Sequence, residues 1–342
     1  MWNKNNDLKD QDLKNKVVVV TGASAGLGRA LVREFAAHGA SVALLARGKD
    51  GLNAAVEEIR KAGGTAKAYP TDVSDPMQVE KAADAIEAEL GPIDIWVNNA
   101  MVSVFGPLKQ IESEDFKRVT EVTYLGQVYG TQSALKRMRS RDQGTIILIG
   151  SALAYRGIPL QSAYCGAKHG IHGFFESLRA ELIHEESKIR LSMVQLPAMN
   201  TTQFGFVKSY LPNKPRPIGR IYEPEVAARA IVEVAKSEKR EAYVGYPTVQ
   251  TILGNKMVPG WLDHYLAKTG FKGQQTKEPA DPGRKDNLYA PLPGDHGAHG
   301  EFDAASWDFS PQFWAASHKA LSWGAFALVG AGLGLLIGRK LS

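Results

Sequence analysis

An α/β domain built on a doubly wound, seven-stranded parallel sheet, followed by a C-terminal extension and an apolar tail helix, is the fold this sequence predicts. Three observations predict it. Between residue 16 and about residue 245, short β-branched apolar runs alternate with longer amphipathic segments, the pattern of repeated strand–helix–strand units. The short runs are continuously apolar, as strands are when helices cover both faces of their sheet. Beyond Gly245 this pattern gives way to Pro- and Gly-punctuated sequence, and residues 320–338 then run for 19 positions without a charge.

The apolar runs place strands at residues 17–20, 41–45, 65–69, 93–97, 144–149, 190–195 and 241–244, with helices filling the intervals. Right-handed crossovers bring the carboxyl ends of all seven to one edge, where ligands of such sheets bind. The chain divides into a polar N-terminal segment (1–15), a catalytic domain (16–250), an extension (251–318) and a tail (319–342). Within the extension, residues 272–300 are rich in Gly, Pro, Asp and Lys with little periodicity, which predicts a linker.

Composition narrows the function. With 44% hydrophobic and 23% charged residues, the 342-residue chain has an ordinary globular make-up. Its formal charge of +5 is spread without a basic run, which argues against nucleic acid as a partner. Cys165 is the single cysteine, so no intramolecular disulfide or cysteine-cluster metal site can form; the eight histidines show no ligand spacing, and no metal is expected. The N-terminus lacks the apolar stretch of a secretory signal.

As a helix, residues 320–338 span roughly 28 Å, close to the thickness of a bilayer core. The expectation is a membrane protein held by a single C-terminal span, with Trp307, Trp314 and Trp323 at the interface and the catalytic domain cytoplasmic; a helix buried against the domain is the rival. Gly330, Gly334 and Gly338 recur every four residues, the spacing of closely packed membrane helices and equally of incidental glycines.

Directly after the first strand comes Thr21-Gly22-Ala23-Ser24-Ala25-Gly26-Leu27-Gly28, opening a helix. Glycines let a backbone approach a pyrophosphate closely, and the N–H groups at a helix start supply donors and a positive dipole end. Thr21, Gly22, Ser24, Gly26, Leu27 and Gly28 are therefore the candidate dinucleotide contacts. At the end of the second strand, where NAD enzymes carry an acid for the ribose hydroxyls, this chain has Ala46 followed by Arg47, which suits a 2′-phosphate. NADP(H) is predicted over NAD(H).

Tyr164 and Lys168 stand four residues apart on an amphipathic helix, hence on one face. An ammonium beside a phenol favours the phenolate and draws the tyrosine down from its usual value of about 10. Ser151 follows the fifth strand and emerges at the same sheet edge, where its hydroxyl can hold a substrate oxygen. Carbonyl reduction needs a developing alkoxide to be stabilised and protonated, and Ser151 with Tyr164 supplies both functions. Lys168 is placed to bind the nicotinamide ribose as well.

Taken with Asn98-Asn99-Ala100 closing the fourth strand, these motifs make residues 16 to about 245 resemble the short-chain dehydrogenase/reductase family, with its Rossmann fold. The resemblance implies Asp72 and Val73 near the adenine, Asn98 and Ala100 at the central strand, and Pro197 through Thr202 beside the nicotinamide. It also implies a homo-oligomer assembled through the helices around residues 116–139 and 163–185. This chain has Pro197-Ala198 where the family usually has Pro-Gly, and Thr123 where the family commonly has an asparagine that holds a relay water. Thr123 is thus a candidate catalytic residue whose amide is missing.

The activity these residues imply is hydride transfer between NADP(H) and a small-molecule carbonyl or alcohol. Phe204, Phe206, Val207 and Tyr210, after Pro197, form an apolar set that suits a lipophilic substrate and equally plain packing. The alternative is a membrane-tethered interaction protein that holds NADP(H) without turnover.

Overall fold

A computed structural model describes residues 12–318. Seven strands, β1 (Val17–Thr21), β2 (Ser41–Ala46), β3 (Thr65–Pro70), β4 (Ile93–Asn98), β5 (Thr145–Ile149), β6 (Arg190–Gln195) and β7 (Glu241–Tyr243), form the central sheet. Their order is β7-β6-β5-β4-β1-β2-β3, and every neighbouring pair is parallel. The chain winds outward in one direction from β1 and in the other from β4, so the crevice between these two strands is the natural ligand seat.

Helices α1 (Gly26–Ala37), α2 (Lys49–Lys61), α3 (Pro76–Leu90), α4 (Ser113–Val119), α5 (Gly126–Met138), α6 (Ser162–His184) and α7 (Pro224–Ala235) cover the two faces. The valines of β1 explain why the strands read as unbroken apolar runs. Val18 and Val20 pack in one core with Leu31, Phe35 and Ile231, while Val17 and Val19 pack in the other with Ile86, Trp96 and Phe175. Alternate side chains serve opposite faces, and both faces are dry. α3 shows how locally such helices are specified: Pro76 opens it, and the Asp75 carboxylate accepts from the Met77 and Gln78 N–H groups.

The extension departs from expectation. α8 (Tyr246–Met257) and α9 (Pro259–Gly273) form a helical pair beside the sheet edge. Gln275–Pro279 then pairs antiparallel with Asn213–Pro215, and the following segment returns across the domain until Ser306–Trp307 pairs with Ile221–Tyr222. Residues 272–300 are thus packed onto the domain and do not form a free linker. They are held by backbone pairing, ion pairs and single anchors such as the fully buried Leu288, none of which leaves an apolar periodicity to read.

Among the described residues no helix is long and apolar enough to cross a membrane. The predicted tail, 319–342, with Trp323 and the three spaced glycines, lies outside the described residues.

Candidate active site

Thr21, the last residue of β1, fastens the glycine loop to β4. Its hydroxyl donates to the Val97 carbonyl (3.4 Å) and accepts from the N–H groups of Asn99 (2.9 Å) and Ala100 (3.0 Å). Gly22 and Gly26 have φ of +68° and +56°, which side chains rarely adopt. A Cβ on Gly28 would lie 1.9 Å from the Gly22 carbonyl oxygen, so only glycine lets α1 begin against this turn. The result is a backbone cradle facing a helix N-terminus, which fits a dinucleotide pyrophosphate.

The cleft above the cradle encloses about 950 Å³, and Gly22, Ser24, Gly26, Leu27, Gly28, Arg47, Asp72, Val73, Ala100, Ser151, Tyr164, Lys168, Pro197 and Thr202 line it. Most residues singled out in the sequence therefore meet in one place. Asp72 is gripped by Arg118 (2.6 Å); burial pushes its carboxyl up, but Arg118 and Ser74 outweigh this and hold it below the usual carboxylate range.

Besides Thr21, two of the predicted catalytic and cofactor residues lie outside the cleft lining. Asn98 is buried beneath the sheet, accepting from the Trp96 indole (2.9 Å) and donating to Thr131 (3.0 Å). Because successive side chains of a strand point to opposite faces, Asn98 enters the core and its neighbour Asn99 serves the site, its amide donating to the carbonyls of Thr21 (2.9 Å) and Gly22 (3.4 Å). Thr123 lies in a turn of π-helix, Thr120–Leu125, with its hydroxyl donating to the Val102 carbonyl (2.8 Å) and accepting from the Val102 N–H (3.1 Å). It fixes the strand-end loop from inside the core and does not line the cleft.

Ser151 follows β5, its N–H donating to the Gln195 side chain (2.7 Å), which in turn donates to Glu241 (2.6 Å). Tyr155 and Tyr243 complete the Glu241 cluster (2.7 and 2.9 Å). Gln195 and Glu241 were not legible as site residues, since each joins the site only through the parallel pairing of β6 with β5 and β7. The Ser151, Tyr164 and Lys168 side chains meet at the cleft wall, with the Lys168 ammonium 5.5 Å from the centre of the Tyr164 ring.

Burial dominates this pair. It pushes the Tyr164 phenol above its ordinary range, with only partial relief from Ser151, and pushes Lys168 down to about 7. Lys168 is not among the groups that move Tyr164, where desolvation outweighs the relief from Ser151. Lys168 donates to the Ile149 carbonyl (2.6 Å), which orients its amine under the cleft.

The extension crosses this site as a strap. The Gly297 carbonyl accepts from the Gly26 N–H (2.9 Å), the Asp295 carboxylate pairs with Arg29 of α1 (3.0 Å), and the Asp50 carboxylate accepts from the Gly294 N–H (2.8 Å). Arg47 donates to the carbonyls of Asn287, Leu288 (3.2 Å) and Tyr289 (3.0 Å), which hold its guanidinium at the cleft rim. Nothing in the sequence pairs Arg29 with Asp295, 266 positions away.

On the substrate side, Phe204, Phe206 and Val207 line the cleft as expected, joined by Trp261, Leu262 and Tyr265 of α9; Tyr210 instead donates to Asp115 (2.6 Å) outside it. Glu223, His299 and Asp303 bring ligand-type atoms within 4.8 Å of one another. Their contacts are met within the protein: Asn200 donates to both carboxylates, and His299 pairs with Glu225 (2.9 Å).

Comparison with known proteins agrees with this geometry. Residues 16–209 match the short chain dehydrogenase family. The uncharacterized oxidoreductase YxnA of Bacillus subtilis (strain 168) is 33% identical over 284 residues, covering 82% of this chain and 80% of that protein. The 3-dehydrosphinganine reductase of Danio rerio is 30% identical over 235 residues, covering 66% of this chain and 70% of that protein. The crystal structure of a metagenomic short-chain oxidoreductase in complex with NADP superposes with a TM-score of 0.58 at 29% identity, over 68% of this chain and 97% of the other. With the family's match running from β1 past Tyr164 and Lys168, this chain belongs to the short-chain dehydrogenases, oxidoreductases that use a nicotinamide cofactor.

Proposed function

We propose that the protein is an NADP(H)-dependent reductase of a lipophilic carbonyl compound, held at a membrane by its C-terminal tail. The observation that carries the catalytic part is the convergence of Ser151 and Tyr164 on one cleft wall, with the buried Lys168 amine 5.5 Å from the Tyr164 ring. Bound in the glycine cradle, the nicotinamide dinucleotide supplies the hydride.

The chain's own residues do the rest. Ser151 donates to the substrate oxygen and Tyr164 passes its proton to the same atom as charge develops there. A tyrosine kept protonated by burial is the form that donates, so the site is poised for carbonyl reduction at neutral pH. Alcohol oxidation needs the phenolate and is expected to gain rate as pH rises. Gln195 holds the Ser151 backbone, and the Ile149 carbonyl holds Lys168 under the ribose position.

Arg47 supports the NADP(H) preference: the strap carbonyls fix its guanidinium at the end of β2, where a 2′-phosphate would sit. The apolar cleft wall and the likeness to a 3-dehydrosphinganine reductase support a lipophilic substrate. The test is NADPH and NADH consumption by the full chain against a panel of aldehydes and ketones of graded chain length. The expected outcome is NADPH-dependent turnover of the longer carbonyls that falls by about three orders of magnitude or more in Tyr164→Phe. NADPH binding without turnover of any panel member would return the reading to a non-catalytic cofactor-binding protein.

A further inference from the structure

We infer that the helical pair α8–α9 is a docking surface for an anionic lipid bilayer, so that the substrate cleft opens onto the membrane. The pair has two unlike sides. Inward, Trp261, Leu262, Tyr265 and Leu266 line the cleft, and Gly270 is closed against Pro159. Outward, Leu253, Met257, Val258 and Phe271 are exposed, Met257 to 79%, and Trp261 and Tyr265 stack on each other while remaining partly open to solvent. Of the 14 exposed large apolar residues in the described chain, seven lie between Tyr246 and Phe271, a density that scattered surface residues do not produce.

Charge identifies the occupant. Asp263 is the only carboxylate in residues 246–273, and Arg156 neutralises it at 2.5 Å. Lys256, Lys268 and Lys272 are exposed beside the apolar residues, the mixture that favours anionic headgroups over water or a neutral protein face. The surface is also continuous with the root of the tail. Gly245, immediately before α8, donates its N–H to Ser310 (3.3 Å), and Trp307, Phe309 and Trp314 around Ser310 are exposed aromatic residues of the kind found at headgroup depth. Arg156 further binds Asn255 (3.2 Å) and the Pro259 carbonyl (3.3 Å), which fixes the pair to the domain as a rigid platform.

The inference rests on the proposed lipophilic substrate, and its test is separable from that reading. The full chain carrying Met257→Cys is labelled with an environment-sensitive fluorophore and mixed with phosphatidylserine/phosphatidylcholine vesicles; Cys165 is buried, and Met77→Cys on α3 is the control. The expected result is a blue shift and quenching by headgroup nitroxide lipids at position 257 and neither at position 77. A label that stays in water while the chain floats with vesicles overturns the inference, as does failure of the chain to float. A label shielded without vesicles, in a particle of doubled mass, also overturns it and assigns the face to a second copy.

The Leu253→Asp, Met257→Asp double variant adds a kinetic arm, since neither residue lines the cleft. It should leave turnover of a short soluble aldehyde unchanged and raise KM for a vesicle-borne long-chain ketone about tenfold. Absence of any Tyr164-dependent turnover would count against the proposed activity and leave the labelling result standing.

Discussion

Lys168, assigned to the proposed reaction, is buried at the expense of the fold. Its ordinary value of 10.5 falls to about 7 in the folded protein. Between those limits the unfolded chain holds a proton that the native state does not, so native stability rises with pH through that window, and the penalty is fully present below about pH 7. Lys168→Met should therefore melt several degrees above the parent below pH 7, the gap narrowing toward pH 10, while turnover is lost. Thermal melting across pH, paired with NADPH consumption, checks both signs. Thr123 makes the complementary case. Thr123→Val leaves the Val102 N–H and C=O unpartnered in the core and should cost about 2 to 4 kcal/mol, read by chemical denaturation. The position was legible as a departure from the family pattern, but its partner was not, because a hydroxyl bonded to backbone 21 residues away leaves no trace in spacing.

At the scale of elements, β1 and the turn after it were the most legible part of the chain, since Gly22, Gly26 and Gly28 each answer to a local steric demand. Gly28→Ala should shift α1 off the Gly22 carbonyl, lower stability by about 1 to 3 kcal/mol and abolish dinucleotide binding, measurable by melting and by NADPH fluorescence titration. All seven strands were readable within about one residue at each end; the inner ones, such as β1 and β5, are buried on both faces, which makes their apolar runs continuous. α8 and α9 escaped the same reading. Their apolar residues are divided between the cleft and an exposed face, so no single stripe marks the helices, and Pro247 and Pro259 read as loop punctuation although each sits in a first helical turn.

For the molecule as a whole, the strap makes residues 281–303 part of the dinucleotide domain. Arg29 keeps Glu58 as a second partner at 2.7 Å, so Asp295→Ala loosens the strap without stranding the arginine. Tryptic cleavage after Arg284 and Lys285 should accelerate several-fold in that variant while the melting temperature moves by no more than about 3 °C. This connection also orders events during synthesis. The glycine loop is translated near the start of the chain, yet its cover at Asp295 and Gly297 arrives 266 positions after Arg29, on the order of 10 to 50 s later at ordinary ribosome speeds. In the last part of that interval, once β7 has been made at residue 243, the nascent protein carries the strands of its sheet with an open phosphate loop and the seat of Leu288 unfilled. Polypeptides released early would present this unfinished edge to chaperones and proteases, so a segment around residue 295 decides whether the loop at residues 22–28 is protected.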